Sequence, residues 1–220
     1  MTSRPTGIRG ILFDLWNTIA CSESQPNPMA LIAEAFDLSA RPDWRKVIER
    51  GMMTRRLLGI REGLEALERE TGRLLEPPAR EALIRAWNVA SGATRLFDDA
   101  LPVLRAARGR HRLGLISNTQ SFDVDFLRSR GVEPLLDVVC LSCDVGRLKP
   151  DPIFFATAVE RLSLPPEAVL MVGDSVEDDV RGALEAGLSA LHLDRAGGAP
   201  AVPGSAGSIR RLTEIGSLLP

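Results

Sequence analysis

Apolar positions fall into two regimes along the chain. Near the start, Ile8, Ile11, Leu12 and Phe13 leave little room for a polar face, which predicts a short strand from Gly7 that is covered on both sides and ends at Asp14. A loop rich in Ser, Pro and Asn (Ser22 to Pro28) follows. Four segments then show helical spacing: Met29 to Leu38, Trp44 to Leu58, Gly59 to Thr71 and Pro78 to Ser91. Breaks at Pro42, Gly72 and Pro77-Pro78 mark their turns, and no strand candidate interrupts them.

From Phe97 the pattern alternates between helix and strand. Asp99 to Arg108 is amphipathic, and Arg112 to Ile116 is an apolar strand running into Ser117-Asn118-Thr119. Phe122 to Arg130 reads as helix, Leu136 to Leu141 as strand, and Pro152 to Leu162 as helix. Ala168 to Val172 is a strand ending in Gly173-Asp174-Ser175, Asp178 to Ala186 a helix stopped by Gly187, and Leu188 to Leu193 a last strand. The Gly, Ala and Pro tract from Ala196 to Gly207 reads as a surface loop before a short terminal element. This alternation predicts an α/β fold: a Rossmann-like, doubly wound parallel sheet with a small helical unit inserted after the first strand. The expected division is residues 1–18 with 96–220 as the α/β core and 19–95 as a helical cap. Such sheets place their sites beyond the carboxyl ends of the strands, so Asp14, Ser117 and Asp174 are expected to converge.

Composition narrows the partners. The 220 residues carry a net charge of -2, which offers no electrostatic footprint for nucleic acid or an anionic membrane. No apolar run approaches the roughly 20 residues of a membrane span, and Met1 to Gly10 lacks a signal core, so the expected location is the cytoplasm. Three cysteines in a chain of this length predict free thiols. Cys140 and Cys143 form a lone C-x-x-C, read as strand packing because only His111 and His192 could complete a zinc site. Basic residues are nearly all arginine, so Lys46 and Lys149, the two lysines, stand out. Nothing in the sequence speaks to oligomeric state.

The polar residues at the strand ends suggest a chemistry. A carboxylate there can attack phosphorus or an activated carbon and form a covalent intermediate, the role expected of Asp14. Phosphoryl transfer needs charge neutralisation, which a cation held by Asp14 and Asp174, with Asp178 or Asp179 one helical turn on, would supply. An all-oxygen set of this kind suits Mg²⁺. Lys149 adds a fixed positive charge, and the hydroxyls of Thr18 and Ser117 can hold phosphate oxygens. Trp16, Asn17 and Asn118 complete the set expected to face a small phosphorylated substrate. Asp178 serves equally well as an acid at a helix N-terminus.

In order, Asp14 to Thr18, Ser117-Asn118, Lys149-Pro150, and Gly173-Asp174-Ser175 with Asp178-Asp179 resemble the motifs of the haloacid dehalogenase superfamily of hydrolases, in the subgroup with a helical cap after the first strand. The resemblance implies the roles above for Asp14, Ser117, Lys149 and Asp174. Its spacing favours Asp179 as the further metal ligand and adds the backbone carbonyl of Trp16.

Trp16 is also the departure. Phosphatases of this superfamily usually carry an Asp at that position, which protonates the leaving oxygen and then activates water; an indole does neither. Dehalogenases of the superfamily have a Tyr there and need no proton donor, but they work without metal and do not keep the Gly-Asp-Ser pattern of Gly173 to Ser175. A third branch forms a Schiff base on a cap lysine, whereas Lys46, between Arg45 and Glu49, reads as an ordinary exposed helix position. The expectation is therefore a Mg²⁺-dependent phosphatase, handicapped towards ordinary esters, with a 2-haloacid dehalogenase or a weakly catalytic binding protein as alternatives. Trp44 and Trp87 are expected in the cap core, and Arg41, Arg45, Arg55 and Arg56 mostly on its surface.

Overall fold

The computed structural model describes residues 7–218. Strand β1 (Gly10–Phe13) is followed by β2 (Ala20–Ser22), helices α1 (Pro28–Ala35), α2 (Trp44–Met53), α3 (Ile60–Thr71) and α4 (Pro77–Gly92), and strand β3 (Thr94–Leu96). The chain continues through α5 (Ala100–Ala107), β4 (Arg112–Ser117), the single turn α6 (Phe126–Ser129), β5 (Val138–Leu141), the single turn α7 (Ser142–Val145) and α8 (Pro152–Leu162). It ends with β6 (Val169–Gly173), α9 (Gly182–Glu185), β7 (Ser189–Leu193), β8 (Ser208–Ile209) and α10 (Ile215–Leu218). A π-helical stretch, Val176–Arg181, leads into α9.

Six strands form one parallel sheet in the order β5-β4-β1-β6-β7-β8, the expected Rossmann-like arrangement. The continuous apolar runs explain it, because both faces are covered. Ile11 and Phe13 pack with Leu104 of α5 on one face, and Leu12 and Met171 pack with Phe154 and Phe155 of α8 on the other. Capping sets the helix starts: the Asn27 side chain accepts from the Met29 N–H at 2.9 Å and the Asp151 side chain from the Ile153 N–H at 2.9 Å, each with proline at the first helical position.

Helices α1 to α4 bury a separate cluster that includes Ile32, Ile48, Met52, Leu64, Leu67 and Trp87, with Trp44 packed against it. The chain enters and leaves this unit through β2 and β3, which pair antiparallel. That ribbon, which the sequence pattern did not show, flanks the four helical segments, and no strand interrupts them. Helix α2 also stops at Met53, short of Leu58, and Leu57 instead exchanges hydrogen bonds with the Ser121 hydroxyl at 2.9 and 2.7 Å. The expected helix from Phe122 to Arg130 is broken into a 3-10 turn, Ser121–Asp123, and α6. Among the described residues no helix is long and apolar enough to cross a membrane, and the three cysteines are free and buried.

Candidate active site

Strand β1 lies between β4 and β6, so the chain leaves its neighbours towards opposite edges and opens a crevice beyond their carboxyl ends. Asp14, Ser117 and Asp174 stand there, at or just past the ends of adjacent strands. Asp14 is buried, and its N–H donates to the Val172 carbonyl at 2.9 Å. Lys149, 3% exposed, donates from Nζ to Asp14 Oδ1 at 2.6 Å, Asp179 Oδ1 at 2.5 Å and the Ile116 carbonyl at 3.3 Å. Asp14, Asp174 and Asp179 each offer a carboxylate oxygen, all within 4.8 Å of one another. Asp179 is held by the Ser175 N–H at 3.0 Å, and Asp174 by Asn17 Nδ2 at 3.2 Å, with Asn17 in the left-handed region at φ 60°.

Three carboxylates face one ammonium here, and the titration of Asp14 and Asp174 reflects the shortage of positive charge. Burial pushes the Asp14 carboxyl up; Lys149 pulls it down, Asp179 and Asp174 push it up again, and it settles at about 8. Asp174 is raised by burial and then by Asp179. Burial works against the charge on Lys149, yet Asp14 and Asp179 outweigh it and hold the ammonium above its ordinary value. A hard cation among the three carboxylates would relieve this imbalance, so the donor set fits one.

The remaining expected residues divide. Thr18 and Ser117 are fully buried, and neither hydroxyl has a partner among the described residues. An unmatched buried hydroxyl costs about 1–3 kcal/mol, which a bound oxyanion would recover. Neither side chain lines the main cavity. Asp14, Trp16, Asn17, Asn118, Lys149, Asp174 and Asp179 all do. Asn118 clamps the Lys149 loop: its Oδ1 accepts from the Lys149 N–H at 2.7 Å, and its Nδ2 donates to the Lys149 carbonyl at 3.2 Å and to Glu49 Oε2 at 3.3 Å. The Trp16 indole N–H is spent on Thr119 Oγ1 at 3.1 Å, and its ring leans on Phe126, so Trp16 forms a wall. The Trp16 carbonyl accepts no hydrogen bond among the described residues.

The cavity, about 540 Å³, lies between the sheet edge and the helical unit and is lined from the helical side by Met29, Arg45, Glu49, Met53 and Trp87. Lys46 is no ordinary exposed residue. Its Nζ donates to Glu49 at 3.0 Å, to both Asp178 oxygens at 2.8 Å and to the Lys149 carbonyl at 2.9 Å, tying α2 to the core. Asp178 is thereby paired with Lys46 and stands apart from the three clustered carboxylates. A glycine completes the packing: a Cβ on Gly173 would lie 2.2 Å from Asp179 Oδ2. Gly173→Ala is expected to displace Asp179 and to reduce any thermal stabilisation by added Mg²⁺ while leaving a folded chain, measurable by melts with and without the ion.

A family model for haloacid dehalogenase-like hydrolases matches residues 8–187. The chain belongs to that family. It is similar to a phosphoserine phosphatase of Thermus thermophilus, 34% identical over 148 residues, which covers 60% of this chain and 59% of that relative. In fold it is similar to a haloacid dehalogenase-family phosphatase of Thermococcus onnurineus (TM-score 0.65, 23% identity, 96% of this chain and 97% of that one). A 2-haloacid dehalogenase of Pseudomonas syringae is equally similar (TM-score 0.64, 21% identity, again 96% and 97%). The chain spans under two thirds of the length of that Thermus relative, and these two solved structures, both under 25% identical, show a shared fold.

Proposed function

We propose that this hydrolase is a Mg²⁺-dependent phosphatase of a small phosphorylated metabolite, working through an aspartyl-phosphate on Asp14, with residues 19–95 acting as a cap over the site. The observation that carries the reading is the crowding of Asp14, Asp174 and Asp179 within 4.8 Å around a single ammonium. A metal-free dehalogenase has no use for that surplus of negative charge. The Thermus relative, named a phosphatase, supports the same choice.

In this reading Asp14, Asp174, Asp179 and the Trp16 carbonyl would hold the ion, which would supply positive charge against the phosphoryl oxygens. Lys149 orients Asp14 for attack and holds it beside Asp179. The unpartnered hydroxyls of Ser117 and Thr18, which do not line the cavity, would reach phosphoryl oxygens only after a local opening of the site. Trp16 walls the cavity without exchanging a proton. We place the reaction in the cytoplasm, where three buried free thiols stay reduced.

Purified protein is to be assayed for phosphate release from a phosphate-ester panel and halide release from 2-haloacids, with Mg²⁺ and with EDTA. Phosphate release lost in EDTA is expected; halide release that survives EDTA would replace this reading with a dehalogenase. Binding has its own readout. At a Mg²⁺ concentration about 100 times Kd the folded state gains about 2.7 kcal/mol. For a chain of this size that raises Tm by about 5–10 °C. Asp174→Asn is expected to erase most of that rise.

A further inference from the structure

Hydrolysis of an ordinary phosphate ester needs two proton transfers: one to the leaving oxygen and one from the attacking water. The cavity holds no histidine, cysteine or tyrosine, and Trp16 cannot serve. Six carboxylates line it: Asp14, Glu49, Asp123, Asp174, Asp178 and Asp179. Asp14, Asp174 and Asp179 form the cluster already assigned. Asp123 has both oxygens engaged, accepting from Trp87 Nε1 at 2.6 Å, Ser91 Oγ at 2.7 Å and Gln120 Nε2 at 2.9 Å. Asp178 spends both oxygens on Lys46.

Glu49 differs from all of these. Its Oε2 accepts from Lys46 Nζ at 3.0 Å and Asn118 Nδ2 at 3.3 Å, which fixes the carboxyl at the junction of α2 with the Lys149 loop. Its Oε1 makes no hydrogen bond among the described residues. We propose that Glu49 is the general acid and base of this enzyme, supplied from the helical unit in place of a residue two positions after the nucleophile. The proposal rests on the phosphatase reading. Burial pushes the Glu49 carboxyl up while Lys46 opposes it, with Asp178 and Lys149 as the other charged groups around it.

The two steps balance. An Asp14 oxygen attacks phosphorus, the bond from phosphorus to the ester oxygen breaks, and the departing oxygen takes the Glu49 proton, leaving a carboxylate. Water then attacks the phosphorus of the aspartyl-phosphate and gives its proton to Glu49. The bond to Asp14 breaks with its electron pair returning to Asp14, and phosphate leaves. Because Lys46 joins Glu49 to the core, this acid would be in place only when α2 is docked.

The test compares wild type, Glu49→Gln and the Trp16→Asp/Glu49→Gln double variant on glycerol phosphate, whose leaving group needs a proton, and 4-nitrophenyl phosphate, whose leaving group does not. Glu49→Gln is expected to lower kcat on glycerol phosphate by about 10²–10⁴-fold. On 4-nitrophenyl phosphate it is expected to keep the burst of nitrophenol and to accumulate phosphorylated Asp14, detectable by mass spectrometry. Trp16→Asp in the same chain is expected to restore turnover, which a merely structural loss at Glu49 would not allow. Lys46→Met, which breaks the contact that places Glu49, is expected to give a smaller loss of the same kind, with lower kcat on glycerol phosphate and some accumulated phosphoenzyme. Equal losses on both substrates with no phosphoenzyme, or unchanged kcat, would overturn the assignment. If wild type itself never phosphorylates Asp14, the phosphatase reading fails first and takes this proposal with it.

Discussion

Asp14→Asn is expected to abolish phosphate release, by on the order of 10⁴-fold or more, the scale on which loss of a nucleophile is felt. The amide is nearly the same size and cannot form the covalent intermediate, while the site around it stays assembled because Lys149 keeps Asp179 at 2.5 Å. The fold is expected to stand with a Tm at or above that of wild type in the absence of metal, and the sign follows from titration. The Asp14 carboxyl sits at about 8 in the folded chain, against about 4 for an ordinary carboxylate. The folded state thus binds that proton more tightly, and the stability it lends is complete below about pH 4 and drains away as pH rises towards 8. Asn does not titrate. The Tm difference, variant minus wild type without metal, should therefore widen from pH 4 to pH 8. Phosphate release within tenfold of wild type would place the nucleophile elsewhere.

That a single carboxylate can be named from the sequence reflects how β1 is built. Gly10 to Phe13 are all buried, so the first polar side chain after them stands at the open edge. The same logic located Ser117 and Asp174, and a run bounded by Pro152 and the end of its apolar spacing located α8. Local pattern failed where distant contacts decide the outcome. Strands β2 and β3 have three residues each, too few to show alternation, and exist because they pair across the helical unit. The stretch from Phe122 to Arg130 has helical spacing, but Asp123 is captured by Trp87 and Ser91 of α4, and the helix breaks beside it.

Lys46 shows the limit most clearly. Judged by its helix neighbours it is a surface residue, yet Asp178, 132 positions away, takes it into the rim of the site. Its rarity in an arginine-rich chain was the usable signal, the same one that singled out Lys149. Glu49 offered none: a glutamate three residues after a lysine is a common helix pair, and its place in the cavity follows only from how α2 docks.

Lys149→Met is expected to be the most damaging single change to stability. Lys149 is buried, and it is the ammonium paired with both Asp14 and Asp179. Removing one partner of a buried ion pair leaves uncompensated charge and typically costs about 3–5 kcal/mol. At about 2–4 °C per kcal/mol for a chain of this size, Tm should fall by about 6–20 °C without metal. Lys149→Arg should not rescue it, because a planar, five-donor guanidinium does not fit a pocket shaped for a compact ammonium. Two conditions should restore part of the loss. Mg²⁺ would return positive charge to the three carboxylates, and acid would neutralise them. Lys149 pulls the Asp14 carboxyl down, so its removal lets that carboxyl rise further, and stability then drains away over a wider span as pH increases. The variant should accordingly lie closer to wild type at pH 5 than at pH 8. Melts in EDTA at both values decide it: equal losses at both would mean that the cost comes from packing and that the crowded carboxylates are not what Lys149 holds in check.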